Sequence, residues 1–488
     1  MNPNNADMTT PPPRSQARRF VASLIILGAT AQVLGLTLRV PTQLEANDIS
    51  RWCTVWSLLE EGTYAIDNCP WQSKTQDKVQ KPRTPPGGGE PVLHYYSSKP
   101  PLLPTLIAGV LYPIRAAVGI PLDHVVEQER NPRYVDKAVE GSPGKTERVL
   151  ETPKDPVKWP VYVFYLKPMI ILLNIVPMVI FLVLFARLLD RHAANDWAWF
   201  FSLFAAAWGT YLFDFDQTLN NHTVAAYSGF FALYALIRIW DEEQRRPFYF
   251  VLAGFFGAFC ACNELPAALF GILLFLMLLI RFPRPTLLWF VPAAAIPCIA
   301  FLATQYLAFG QFKPVYEEFG TKSYNYEASY WNAPLEFDYL NKEPESKSIY
   351  LFHMLLGHHG VFSLTPIFLF SIAGGIRLIW TRARLSALAW LTIALTLAIS
   401  AVYLWNPKAR NYGGSTQGLR WLFWLIPFWL ILLPAGVEAG QDRPWFRRLT
   451  LAALFVSIVS VGYALRTPWS HPWFLDLIEH LNMYTLRR

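Results

Sequence analysis

Apolar segments of bilayer-spanning length recur along this chain from residue 20 to residue 465, and no other feature restricts its fold as much. They fall at 20–38, 100–118, 162–186, 196–213, 222–239, 248–263, 265–280, 286–308, 361–379, 385–404, 420–436 and 449–465. A helix needs roughly 20 apolar residues to cross the hydrocarbon, where backbone amides find no partner outside their own segment. Unbroken runs of this length are unlike the alternating pattern of a membrane barrel. The expectation is an all-α polytopic membrane protein of about 11–13 membrane helices, with short interfacial helices in its first outer loop. Composition agrees, since 16% charged residues against 53% hydrophobic ones is too little charge to cover a water-soluble surface.

Charge in the short loops sets an orientation. Arg187 and Arg191, then Arg238, Arg245 and Arg246, then Arg281 and Arg284, then Arg377, Arg382 and Arg384, then Arg443, Arg447 and Arg448 fall in alternate loops. The positive-inside rule makes these loops cytoplasmic, and Arg14, Arg18 and Arg19 ahead of the first span do the same for the N-terminus. The net charge of +7 is thereby explained by a membrane face, with no call for nucleic acid. The predicted organisation is a cytoplasmic tail at 1–19, a membrane domain at 20–465 and an interfacial tail at 466–488. Outer loops fall at 39–99, 309–360 and 405–419, with a charged insertion at 119–161. One inconsistency follows: the first span leads outward and the span at 162–186 also begins outside, so the segment 100–118 either is re-entrant or inverts the loops after it. Pro100, Pro101, Pro104 and Pro113 favour a short or broken helix there. Cys53 and Cys69 share the first outer loop, where an oxidising compartment permits a disulfide or leaves two thiols.

That loop reads Glu45-Ala-Asn47-Asp48-Ile-Ser-Arg51-Trp52, with a short helix expected over 54–62, and returns to the membrane through Ser97-Ser98-Lys99-Pro100-Pro101-Leu102. Acid and base three residues apart share a helix face, and Lys99 stands at the headgroup boundary. An interfacial ion pair and a snorkelling lysine are the plain reading. The same residues resemble the GT-C superfamily of membrane glycosyltransferases, with the lipid A aminoarabinose transferase and protein O-mannosyltransferase families as the nearest parallels. The resemblance implies Asp48 as catalytic base, with Arg51 and Lys99 as ligands of the phosphate of a polyprenyl-phosphate sugar donor. Asn47-Asp48 stands where many members have two acids, and Ser98 where an acid often precedes the lysine, which leaves a divalent metal an open question.

Other polar groups fall on the same face. The loop from Asn406 to Arg420 is basic where the charge rule expects few cations, which suggests a bound anion, and nominates Arg410, Tyr412 and Arg420 as substrate-binding residues. Its glycines serve equally well in a tight interhelical loop. His222, after Asn220-Asn221, and His359, after His358, stand at helix starts, suited to acceptor hydroxyls, to a metal or to capping. Glu264 lies between two apolar runs, where a carboxylate is costly unless solvated or used. Tyr316, Tyr324, Tyr326, Tyr330 and Trp331 would cap an acceptor groove or anchor the loop at the interface. Asp214-Phe-Asp216 has the form of a metal-binding triplet that is common by chance, and is left outside the core site.

The expected function is transfer of a sugar from a polyprenyl-phosphate donor to a glycan, lipid or protein acceptor at the outer face of a bacterial cytoplasmic membrane. A transporter or flippase of lipid-linked sugars, and a non-catalytic subunit of the same fold, are the alternatives. Membrane lipid is a partner in each.

Overall fold

The computed structural model describes residues 16–39, 45–84, 88–129, 131, 133–138, 146–151, 155–327, 329, 346–405 and 412–483. Its main helices are α1 (Gln16–Arg39), α2 (Ala46–Glu60), α3 (Leu102–Val118), α4 (Tyr162–His192), α5 (Asp196–Trp208), α6 (His222–Trp240), α7 (Pro247–Asn263) and α8 (Leu265–Arg281). They continue as α9 (Pro283–Phe309), α10 (Lys347–Leu355), α11 (Ile367–Trp380), α12 (Ser386–Trp405), α13 (Arg420–Glu438), α14 (Pro444–Tyr463) and α15 (Trp473–His480). Among the described residues, seven are long and apolar enough to cross a membrane, namely α1, α4, α6, α9, α12, α13 and α14. Helices α3, α7, α8 and α11 are apolar but shorter, at 10–17 residues. This is a predominantly helical, multi-pass membrane protein.

The order from core to lipid follows from burial. In α6 and α13, 83% of the apolar window is buried inside the protein, against 28% in α1, α9 and α14. The first two are therefore the axis of the bundle and the last three its lipid-facing wall, where Leu27, Ile299 and Phe455 stand exposed. Helices α11 and α13 approach almost backbone to backbone. A Cβ on Gly374 would lie 2.0 Å from the Leu432 carbonyl oxygen, and one on Gly436 would lie 1.8 Å from that of Phe370. Only glycine fits at either position.

The basic loops gather at one end of the bundle, as their alternation predicts. There Arg18 bonds Asp196 (2.7 Å), Arg191 and Arg238 share Glu242, and Glu438 accepts the Ala194 amide (2.6 Å). At the opposite end, Lys167 near the start of α4 donates to the carbonyl of Leu38 at the end of α1 (2.8 Å). The chain thus leaves α1 and enters α4 at the same end. The segment between them begins and returns there, so α3 does not make a crossing of its own. It runs beside α2 instead, with Ser50 bonded to Ser97 just ahead of α3 (2.6 Å) and Arg115 paired with Glu60 at the far ends (2.9 Å).

Two expectations about this segment need correction. Helix α2 begins at Ala46 rather than 54, and every residue from Asp48 to Ser57 is buried, so it is enclosed by α3 and the loop instead of lying on the membrane surface. The segment also holds strands where only helix was expected: β1 (Lys78–Arg83) pairs with β2 (Val92–Ser97), β3 (Val125–Gln128) with β6 (Val157–Pro160), and β4 (Arg133–Ala138) with β5 (Thr146–Glu151). Outside the hydrocarbon, backbone groups are free to pair between segments, and the short β-rich stretches Lys78-Val79-Gln80 and His94-Tyr95-Tyr96 do so. Cys53 and Cys69 are free thiols that neighbour each other in the interior beneath α2.

Candidate functional site

The site lies at the end of the bundle away from the basic loops, and it is assembled from the first turns of three elements. Glu45 starts α2 by accepting the amides of Asp48 (2.9 Å) and Ile49 (2.8 Å), which turns Asp48 and Arg51 inward on one face. Helix α4 carries a π-turn at Ile171–Ile175, and Asn174 within it donates to the carbonyls of Asp216 (3.1 Å) and Thr218 (2.7 Å). That fixes the 212–223 turn, in which Asn220 accepts the Thr223 amide (2.8 Å) and so starts α6. Asn221 and His222 are thereby presented to the site.

From there a continuous polar chain runs across the end of the bundle. Arg51 donates to Asn221 Oδ1, Asn221 Nδ2 donates to Glu264 Oε1 (2.7 Å) and to the Asn263 carbonyl (2.8 Å), and His222 Nδ1 contacts the same Glu264 oxygen. Lys99 pairs with Asp77 at 3.2 Å, and its charge is felt beside those of Arg51 and Arg420. Arg420 reaches the site because residue 413 is glycine with φ +101°, where a Cβ would meet the arginine side chain at 2.9 Å. Its guanidinium lies 4.8 Å from the centre of the Trp469 ring. Trp469 Nε1 in turn donates to Asp48 Oδ2 at 2.9 Å.

Asp48, Arg51, Lys99, His222, Glu264 and Arg420 therefore lie together at this end of the bundle. Burial pushes the Asp48 carboxyl up to about 8, against the opposing pull of Arg51 and of the Trp469 hydrogen bond. Its Oδ1 is buried with no hydrogen-bond partner among the described residues. Burial also lowers the pKa of Arg51 and Lys99, with Asp48, Asp77 and Glu264 opposing it at Arg51 and Asp77 opposing it at Lys99. Three cations thus stand close together in a place largely shut off from water, where fixed positive charge acts strongly on an anion.

His359 and Tyr412 do not join this group. They form an adjacent cluster with His353 and His358, in which the Tyr412 ring stacks on His359 at 4.7 Å and His353 on His358 at 3.9 Å. Burial and mutual repulsion hold His359 well below the ordinary histidine range. Arg410 lies outside the described residues. Asp214 and Asp216 are buried, and Tyr227 donates to Asp216 at 2.7 Å. Part of the 309–360 stretch lies near the site: Tyr316 stands near Glu264, Tyr324 bonds Ser98, and Glu318 pairs with Lys81 at 2.6 Å. Tyr330 and Trp331 fall outside the described residues.

Three site residues carry no signal as ligands in the sequence. Asp77 is one acid among the lysines of its loop, Asn221 reads as a helix cap, and Trp469 reads as an aromatic anchor of the tail. A divalent metal does not fit this donor set. Each carboxylate already has a partner, with Asp77 on Lys99, Glu264 on His222 and Asn221, and Asp48 on Trp469, and three cations stand beside them. No group of three or more metal-ligating side chains suited to an ion occurs among the described residues. The chain matches no protein-family model and no curated protein.

Proposed function

We propose that the protein is a membrane glycosyltransferase of GT-C type, moving a sugar from a polyprenyl-phosphate donor to an acceptor at the outer face of a bacterial cytoplasmic membrane. One observation carries the reading: Arg51, Lys99 and Arg420, from three separate parts of the chain, gather beside a buried carboxylic acid whose second oxygen is unpartnered among the described residues. Three clustered cations suit a phosphate, since arginine meets its oxygens in pairs and lysine adds a point charge. The membrane placement suits a phosphate on a lipid tail. With the basic loops cytoplasmic, the N-terminus is inside and the site is outside. On this reading some of the shorter apolar helices also cross, paired across the Asn263-Glu264 turn and against α13.

The reaction would proceed by attack of an acceptor hydroxyl oxygen on the anomeric carbon, with Asp48 taking the hydroxyl proton. The bond from the anomeric carbon to the phosphate oxygen breaks, and its electron pair leaves with polyprenyl phosphate, whose growing charge Arg51, Lys99 and Arg420 offset. Glu264, through Asn221, holds Arg51 in place. Asp48→Asn is isosteric, and is expected to lower transfer by about 10²–10⁴-fold with normal insertion. Full transfer by that variant would sink the reading. The same protein in liposomes separates the alternatives: movement of the lipid-linked sugar across the bilayer without transfer would make it a flippase.

A further inference from the structure

Asp77 has no part in the chemistry just described, yet it is paired with one of the three cations and acts electrostatically on the other two. It faces Lys99 at 3.2 Å, and Arg51 and Arg420 also feel its charge. Its backbone is fixed, with the carbonyl accepting from Ser50 Oγ (2.5 Å) and from the Ser98 amide (3.0 Å), while the amide donates to Thr75 Oγ1 (3.1 Å). The main chain is thus anchored independently of the carboxylate. The side chain is turned toward the cations and is only 13% exposed. A carboxylate with two oxygens, beside a partly buried lysine and near two buried arginines, mimics in charge and shape one edge of a phosphate.

We propose that Asp77 is the resident counter-ion of this site, occupying in the free protein the position that the donor's phosphate takes on binding. This rests on the reading of the cation cluster as a lipid-phosphate site, and it deepens that reading by assigning a residue that sets anion affinity. Three like charges packed together out of water repel one another and are held in place by a shared anion. A resident carboxylate stabilises them before substrate arrives. It must be released for a phosphate to bind, which weakens the product's hold as much as the donor's and favours turnover.

The opposite role, in which Asp77 holds Lys99 ready for the phosphate, gives the opposite sign, so binding decides. The purified full chain in detergent micelles is titrated with inorganic phosphate by calorimetry, as wild type, Asp77→Asn, Asp77→Ala, Lys99→Met and Asp77→Asn/Lys99→Met. Removing the carboxylate is expected to tighten phosphate binding about tenfold in both Asp77 variants, with most of that gain lost when Lys99 is also removed. Unchanged or weaker binding in the Asp77 variants overturns the proposal, as does an absence of phosphate binding in every protein. A parallel titration with polyprenyl monophosphate separates a lipid-borne phosphate from the free ion, and a gain confined to the free ion overturns the assignment to the donor. These outcomes are independent of transfer: wild-type transfer by Asp48→Asn would remove the glycosyltransferase reading and leave the phosphate titration standing.

Discussion

At the scale of single residues, the pairing of Asp48 with Trp469 governs how the site responds to pH. A base works in its deprotonated form, and burial holds the Asp48 carboxyl up to about 8. The transfer rate kcat/KM is therefore expected to climb as pH rises toward 8 and to level off above it. The indole N–H stabilises the charged carboxylate, so Trp469→Phe, which keeps the ring over Arg420 but removes the donor, raises the pKa further. The rising limb should move up by about one pH unit, and a pH–rate profile of the variant beside wild type measures it. An unshifted limb would leave Trp469 with packing alone. The residues that were legible in the sequence are those with a local pattern: Asp48 and Arg51 share a helix face, and Lys99 stands before two prolines. Asp77 and Trp469 reach the site only through tertiary closure, and no spacing along the chain records that.

At the scale of elements, apolar length located the helices but not their depth. The pattern 100–118 has the hydropathy of a span, yet α3 runs beside α2 with its end tied to α2 by Arg115 and Glu60. What distinguishes it is where its neighbours begin and end, which hydropathy does not encode. The strands were hidden for a related reason, being short and two-stranded in a segment dominated by charge. The α11–α13 contact was equally silent, since glycines in apolar runs are common. It now makes a sharp prediction. Gly374→Leu has no room against the Leu432 carbonyl, so the two helices must separate. A loss of about 2–3 kcal/mol is expected, read as a lower melting temperature of the detergent-solubilised protein. Gly109→Leu, with nothing within 4 Å of its Cβ position, serves as the control.

At the scale of the whole molecule, polarity divides the two ends. The basic loops and their acidic partners occupy one end; the cation cluster, the strands and the 309–327 segment occupy the other. The sequence indicated this division because charge alternates from loop to loop, and the Lys167–Leu38 bond resolves the one place where the alternation was ambiguous. In a background without native cysteines, Asp136→Cys in β4 and Arg245→Cys between α6 and α7 are expected to label from opposite sides of the membrane with an impermeant maleimide. Labelling of both from one side would overturn the path of the 39–161 segment.

The hydrogen bond between Trp469 and Asp48 joins groups 421 residues apart. It is therefore also a statement about time. During synthesis, at roughly 5–20 residues per second, the first loop emerges tens of seconds before the indole that closes over its acid. A nascent chain already carries its acid and two of its cations, but the pocket that raises the Asp48 pKa does not yet exist. If the proposed transfer takes place, the site for it is complete only once Trp469 has closed over Asp48.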